Sequence, residues 1–164
     1  MGCARVAPML VTSVEHDDRV GGERRRADLG LQLPAAPKLP ASVKATFSWA
    51  RLLGDRVLVS GHGPQTLDGS PAPPFGRVPD EVNPDQATEA ARLAALSVFS
   101  SVRGAIGDLD RITAWVTVSG FVQAQPGYAH TTAIINGFSQ VVIDVFGDVV
   151  GQHARTAIGL LHYR

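Results

Sequence analysis

A helix whose start and length are both written into its residues does most to restrict how this chain can fold. Asn83-Pro84-Asp85-Gln86 opens it: asparagine suits the cap, proline the first helical position, and the acidic side chain meets the positive end of the macrodipole. Apolar residues then recur at Ala87, Ala91, Ala94, Val98, Val102 and Ile106, a helical spacing that predicts one buried stripe. Gly104 and Gly107 stand where this helix should end. A second amphipathic helix is predicted over about residues 129–146, with Ile134, Phe138, Val141 and Val145 on one face and Gly147 closing it. Two helices with one apolar stripe each imply packing on a single face of a sheet.

The strands of that sheet are predicted around the helices. Residues 45–53 and 56–60 favour β structure, and Gly54-Asp55 between them suits a tight hairpin. Gly61, Gly63, Pro64, Asp68 and Gly69 break the pattern, a loop follows through Pro74, and residues 75–78 are a short third strand candidate. Residues 112–121 alternate with Thr113, Trp115, Thr117 and Ser119, the period of a strand. Residues 154–163 give another. The class is therefore α/β (α+β), with a mixed, mostly antiparallel sheet and two helices on one face. The other face stays uncovered, so self-association is expected.

Before this core, residues 15–28 are dense in charge and contain Gly21 and Gly22, which predicts a flexible linker joining an N-terminal extension, 1–28 in all, to a domain over 29–164. Pro34, Pro37 and Pro40 predict an extended, irregular passage. Fifteen basic and fifteen acidic residues cancel, so no global field draws the chain to nucleic acid or an anionic membrane, and neither is expected as a partner. Arg24, Arg25 and Arg26 form a local basic run that reads as a solvated linker. A lone Cys3, with no CxxC and no histidine cluster, predicts neither disulfide nor metal. Residues 1–14 are too short to span a bilayer, and the expected setting is cytoplasmic.

Five ordered blocks carry a resemblance: Val57-Leu58-Val59-Ser60-Gly61, Glu89-Ala90-Ala91-Arg92, Gly107-Asp108-Leu109-Asp110-Arg111-Ile112, Ile135-Asn136-Gly137 and His153-Ala154-Arg155-Thr156-Ala157. Together, over residues 29–163, they resemble the RidA or YjgF family of reactive-intermediate deaminases, in the branch labelled YjgF-like or L-PSP-like endoribonuclease. The resemblance implies a chorismate-mutase-like fold and a homotrimer with clefts between subunits. In active members those clefts hydrolyse 2-imino or enamine acids to 2-keto acids and ammonia, with no cofactor. The family's carboxylate-gripping arginine falls at Arg155, where a planar guanidinium would bind a small carboxylate ligand bidentately. Asn136 matches a family asparagine near the cleft, and Ser60 with Gly61 matches the loop that borders the ligand. The bland alternatives are an Arg155 salt bridge, an Asn136 bonded within its helix and a Ser60 that merely ends a strand.

Three departures set this chain apart from the active members. Phe47 stands where a tyrosine is usual and Ala157 where a cysteine is usual. The family's last strand, with the glutamate that positions water, has no counterpart before Arg164. Two explanations compete, a truncated chain or a strand supplied from elsewhere; residues 3–14 offer a β-capable substitute, which suggests a circular permutation, although Pro8 argues against a central strand there and the run contains no glutamate. The expectations are thus a RidA-like hydrolase using Arg155, or a non-catalytic trimer that binds a small carboxylate. An endoribonuclease is a further alternative, with His62 near Ser60 and His153 near Arg155 as its conceivable pair; His130 and His162 lie elsewhere.

Overall fold

The computed structural model describes residues 4–6, 9–13 and 21–161. Helix α2 (Pro84–Ile106) starts as its residues demand: the Asn83 side chain accepts from the Gln86 backbone N–H at 2.9 Å, and the Gln86 side chain accepts from the Asn83 N–H at 3.2 Å. This reciprocal capping box satisfies two otherwise orphaned donors. The predicted stripe is buried, and Ala90, Ala95 and Phe99 widen it. Gly104 stays inside the helix, and Gly107 ends it at a positive φ of 86°.

Helix α3 (Thr131–Gly151) buries Ile134, Phe138, Val141 and Val145 as predicted. Gly147 interrupts it at φ 75°, ψ 171°, but one more turn follows to Gly151, so the glycine is a kink and not the expected end. By length and composition α3 could cross a bilayer; its apolar stripe is accounted for by burial in the core. Where α3 crosses α2, a Cβ on Gly137 would lie 2.3 Å from the Thr88 carbonyl oxygen, so the two helices approach at a distance that glycine alone allows there.

The sheet runs β6 (Ala154–Leu160), β5 (Ile112–Gln123), then β2 (Met9–Ser13), β4 (Arg56–Val59) and β3 (Ala50–Leu53). The short β1 (Ala4–Val6) pairs with β5 across residues 120–122. Among the described residues, all pairings between strands are antiparallel except β5 with β6. Strand β2 lies between β4 and β5 and begins after Pro8. Its register jumps from Leu10↔Thr117 to Val11↔Trp115. Val116 is left bulged, which lets both Trp115 and Val118 face the helices. The aromatic centre follows: Trp115 packs 5.5 Å from Phe99 and 5.3 Å from Phe146, ring centre to ring centre. Both helices lie on this face, an arrangement that is the chorismate-mutase-like α+β fold.

Three expectations need correction. Residues 75–78 form no strand; Val78 makes a single bridge to Ala124, and the prolines at 73, 74 and 79 leave too few donors for a ladder. The first hairpin strand covers only its last residues, from Ala50, while 45–48 are exposed and irregular. Part of the charged stretch is ordered: Gly22–Asp28 is a helix, α1. Its charges pair locally, Arg26 with Glu23 at 3.0 Å, and the Glu23 N–H donates to the Asp110 carboxylate at 2.8 Å. Residues 14–20, like Cys3 and His162, lie outside the described residues.

On the face away from the helices Leu58, Ile158 and Leu160 are 46%, 43% and 44% exposed. It is the apolar uncovered face that the two-helix pattern implies.

Candidate functional site

Strand β6 sits at a sheet edge, paired only with β5 among the described residues. Along it Arg155 and Ala157 are half-buried while Ala154, Thr156 and Ile158 are exposed. The guanidinium turns toward α3, where it donates to the Ser139 hydroxyl at 2.9 Å and to the Thr132 carbonyl at 3.3 Å. Among the described residues no carboxylate pairs with it. Partial burial without a counter-charge depresses the Arg155 pKa, yet an arginine remains charged at any relevant pH. A fixed cation with spare donors results.

Ser139 also meets His153, Oγ to Nε2 at 3.0 Å, and His153 Nδ1 meets the Gly151 carbonyl at 2.7 Å. A carbonyl only accepts, so Nδ1 carries the proton and the neutral ring's Nε2 accepts from Ser139. Ser139 thus donates a hydrogen bond to His153 and accepts one from Arg155. Burial first, and then the Arg155 charge, lower the His153 pKa against the opposing pull of the Gly151 bond, which keeps the ring neutral. Thr132, Asn136 and Ser139 stand at helical spacing on one face of α3. Asn136 is therefore between the two groups that hold Arg155. Its exposed amide makes no hydrogen bond to any described residue, so it does not bond back within its helix.

The remaining predicted residues gather elsewhere. The Ser60 hydroxyl donates to the Ser48 carbonyl at 2.7 Å, and the Ser60 N–H to Trp49 O at 2.9 Å, extending the β3–β4 pairing. The Ser60 carbonyl accepts from His62 Nδ1 at 2.7 Å, so His62 Nε2 accepts from Ser101 of α2 at 2.8 Å. Burial lowers the His62 pKa, the bond to Ser60 opposing it, and this ring is neutral too. Half-exposed Phe47 stands edge-on to Trp49 at 4.8 Å, and Trp49 lies 5.2 Å from His62. Gly61 and His62 open onto a cleft of about 650 Å³. At its rim Lys38 reaches the Asp68 carboxylate at 2.6 Å. That contact, followed by hydrogen bonds from Thr66 and Ser70, holds Asp68 far below the usual carboxylate range.

The predicted residues thus form two groups, Arg155 with Asn136, and Ser60, Gly61 and Phe47. Leu160, which lines the cleft, lies five residues beyond Arg155 on β6, or about 17 Å at the rise of a strand. Arg155 is not among the lining residues. Sequence reasoning missed Ser139 and Thr132. Their spacing from Asn136 on a helix was the available signal. Among the described residues no group of three or more histidine, cysteine or acidic side chains could hold a metal ion.

No protein-family model matches the chain. It is 34% identical over 148 residues to Protein TCP17 of Trypanosoma cruzi, an alignment covering 90% of this chain and 88% of that one. Among solved structures it is similar to the protein Atu1372, of unknown function, from Agrobacterium tumefaciens: TM-score 0.73, 31% identity, covering 85% and 82% of the two chains. A putative endoribonuclease from Shewanella oneidensis shares the fold, at TM-score 0.72 and 24% identity over 82% and 85%.

Proposed function

We propose that this chain, which belongs to the same family as Protein TCP17 of Trypanosoma cruzi, is a RidA-like hydrolase of 2-imino and enamine acids. The observation that carries the proposal is Arg155: a partly desolvated guanidinium, aimed by Ser139 and Thr132, with no carboxylate of its own among the described residues. Such a group is prepared to receive a carboxylate from outside. Asn136 on the same face supplies an uncommitted amide. Water adds to the C2=N bond, the added oxygen becomes the keto oxygen, and nitrogen leaves as ammonia. The demand on the protein is modest general acid–base help to a reaction that proceeds unaided.

The chain acts, in this reading, as a homotrimer. Its apolar uncovered face supports association. The separation of Arg155 and Asn136 from Phe47, Ser60 and Gly61 supports sites assembled from two subunits. The place of β2 between β4 and β5 supports the reading that this N-terminal strand stands in for the family's last strand.

A second reading, a trimer that binds a small carboxylate without turning it over, is favoured by Phe47, Ala157 and the absence of any carboxylate in Met9–Ser13. RNA cleavage gains little support. His62 and His153 are held in separate networks, each with both ring nitrogens engaged.

The deciding experiment is ammonia release from 2-iminopropanoate generated in situ. The native protein should exceed the uncatalysed rate, and Arg155→Ala should lose about thirtyfold or more of kcat/KM. No acceleration by a folded native protein would leave the carboxylate-binding reading.

A further inference from the structure

We infer that the cleft beside Gly61 receives the substrate's side chain and selects 2-imino acids with bulky apolar or aromatic side chains, an inference that rests on the hydrolase reading above. Its walls are the rings of Trp49, Phe75 and Phe121, the prolines Pro37 and Pro64, and Leu160. Phe75 stands 50% exposed at the opening, an apolar ring with no intramolecular ring partner among the described residues. About 650 Å³ is far more than a three-carbon imine fills and lies within the range of clefts that enclose much larger molecules.

The charges at the lining are already committed. Lys38 is paired with Asp68 at 2.6 Å, and His62 is neutral with both nitrogens engaged by Ser60 and Ser101. Among the described residues the cleft therefore has no free cation with which to hold a carboxylate, and its chemistry suits the apolar end of a ligand. The carboxylate end belongs to Arg155 of a second copy, because Arg155 of the same chain lies at the opposite end of β6. The loop at Ser60 and Gly61 then marks the reacting carbon, between the two ends. The side chain is a spectator: water still becomes the keto oxygen and nitrogen still leaves as ammonia.

The test has a binding arm and a turnover arm, both on the full chain as it assembles in solution. NMR titration compares 3-phenylpropanoate with propanoate. Turnover compares the imines formed by amino-acid oxidases from phenylalanine and from alanine. Burying a phenyl side chain should favour the larger ligand, and the larger imine's kcat/KM, about ten- to a hundredfold. Phe75→Ala, a substitution at a half-exposed position, should cut that advantage several-fold. Equal affinities, or an advantage that survives both Phe75→Ala and Phe121→Ala, would overturn the inference. So would equal turnover of the two imines, which would leave the hydrolase reading standing. A strong binding preference without turnover of either imine would uphold the cleft's selectivity and overturn the hydrolase reading instead.

Discussion

Ser139 is the residue that links Arg155 to His153, accepting a hydrogen bond from one and donating its own to the other. Replacing it with alanine leaves Arg155 only the Thr132 carbonyl, so Ser139→Ala should raise KM for a carboxylate substrate several-fold with little change in kcat. Ser139→Thr should restore it. Steady-state kinetics on both variants checks this, and the loss in stability should stay near the ~1 kcal/mol of one hydrogen bond. Two histidines, His62 buried and His153 half-buried, make a second prediction at this scale. Both have folded pKa values below the ordinary 6.5, so the unfolded chain binds more protons as the pH falls through that value. Stability from these groups is full above about pH 6.5 and declines as the pH drops toward their folded values. Thermal melts from pH 8 to 5 should show the decline, and His62→Asn should flatten it.

At the scale of elements, contrasting glycines separate crowding from flexibility. Gly137 lies where α3 meets the Thr88 carbonyl, and Gly137→Ala should destabilise the protein by about 1–3 kcal/mol through overpacking. Gly104 is an exposed helical position where an added Cβ meets nothing within 4 Å. Gly104→Ala should therefore stabilise by about 0.5–1 kcal/mol. Chemical denaturation of the two variants tests both signs. The elements were also the most legible part of the sequence. The capping box at Asn83 and the stripe on α2 are local patterns, and they form as read. The third strand at 75–78 was misread because a short apolar run says nothing about whether a partner strand lies beside it. The charged stretch around Arg24–Arg26 is solvated only in part: Arg24 stays exposed as composition suggested, while Arg26 pairs with Glu23 and the Glu23 N–H donates to Asp110.

Over the whole molecule, the unpartnered sheet face carries the prediction about assembly. Leu58, Val116, Ile158 and Leu160 are exposed there as isolated side chains of one chain. Sedimentation should show a species of three chains, and Ile158→Glu, placing a charge on that face, should shift it toward the monomer. Loss of trimer in that variant should also remove carboxylate binding, because the two residue groups would no longer meet. An intact trimer with lost binding would argue against sites shared between subunits.

The sequence by itself determined the two helices, the β4, β5 and β6 strands and the types of residue at the site, since capping, periodicity and turn chemistry act between residues a few positions apart. Only the tertiary structure decided that Met9–Ser13 lies between β4 and β5, that a bulge at Val116 turns both Trp115 and Val118 inward, and that Ser139 joins Arg155 to His153. Those outcomes depend on strand pairing and burial across long stretches of chain, and the hydrogen-bond partners and lowered histidine pKa values follow from burial that no local pattern encodes.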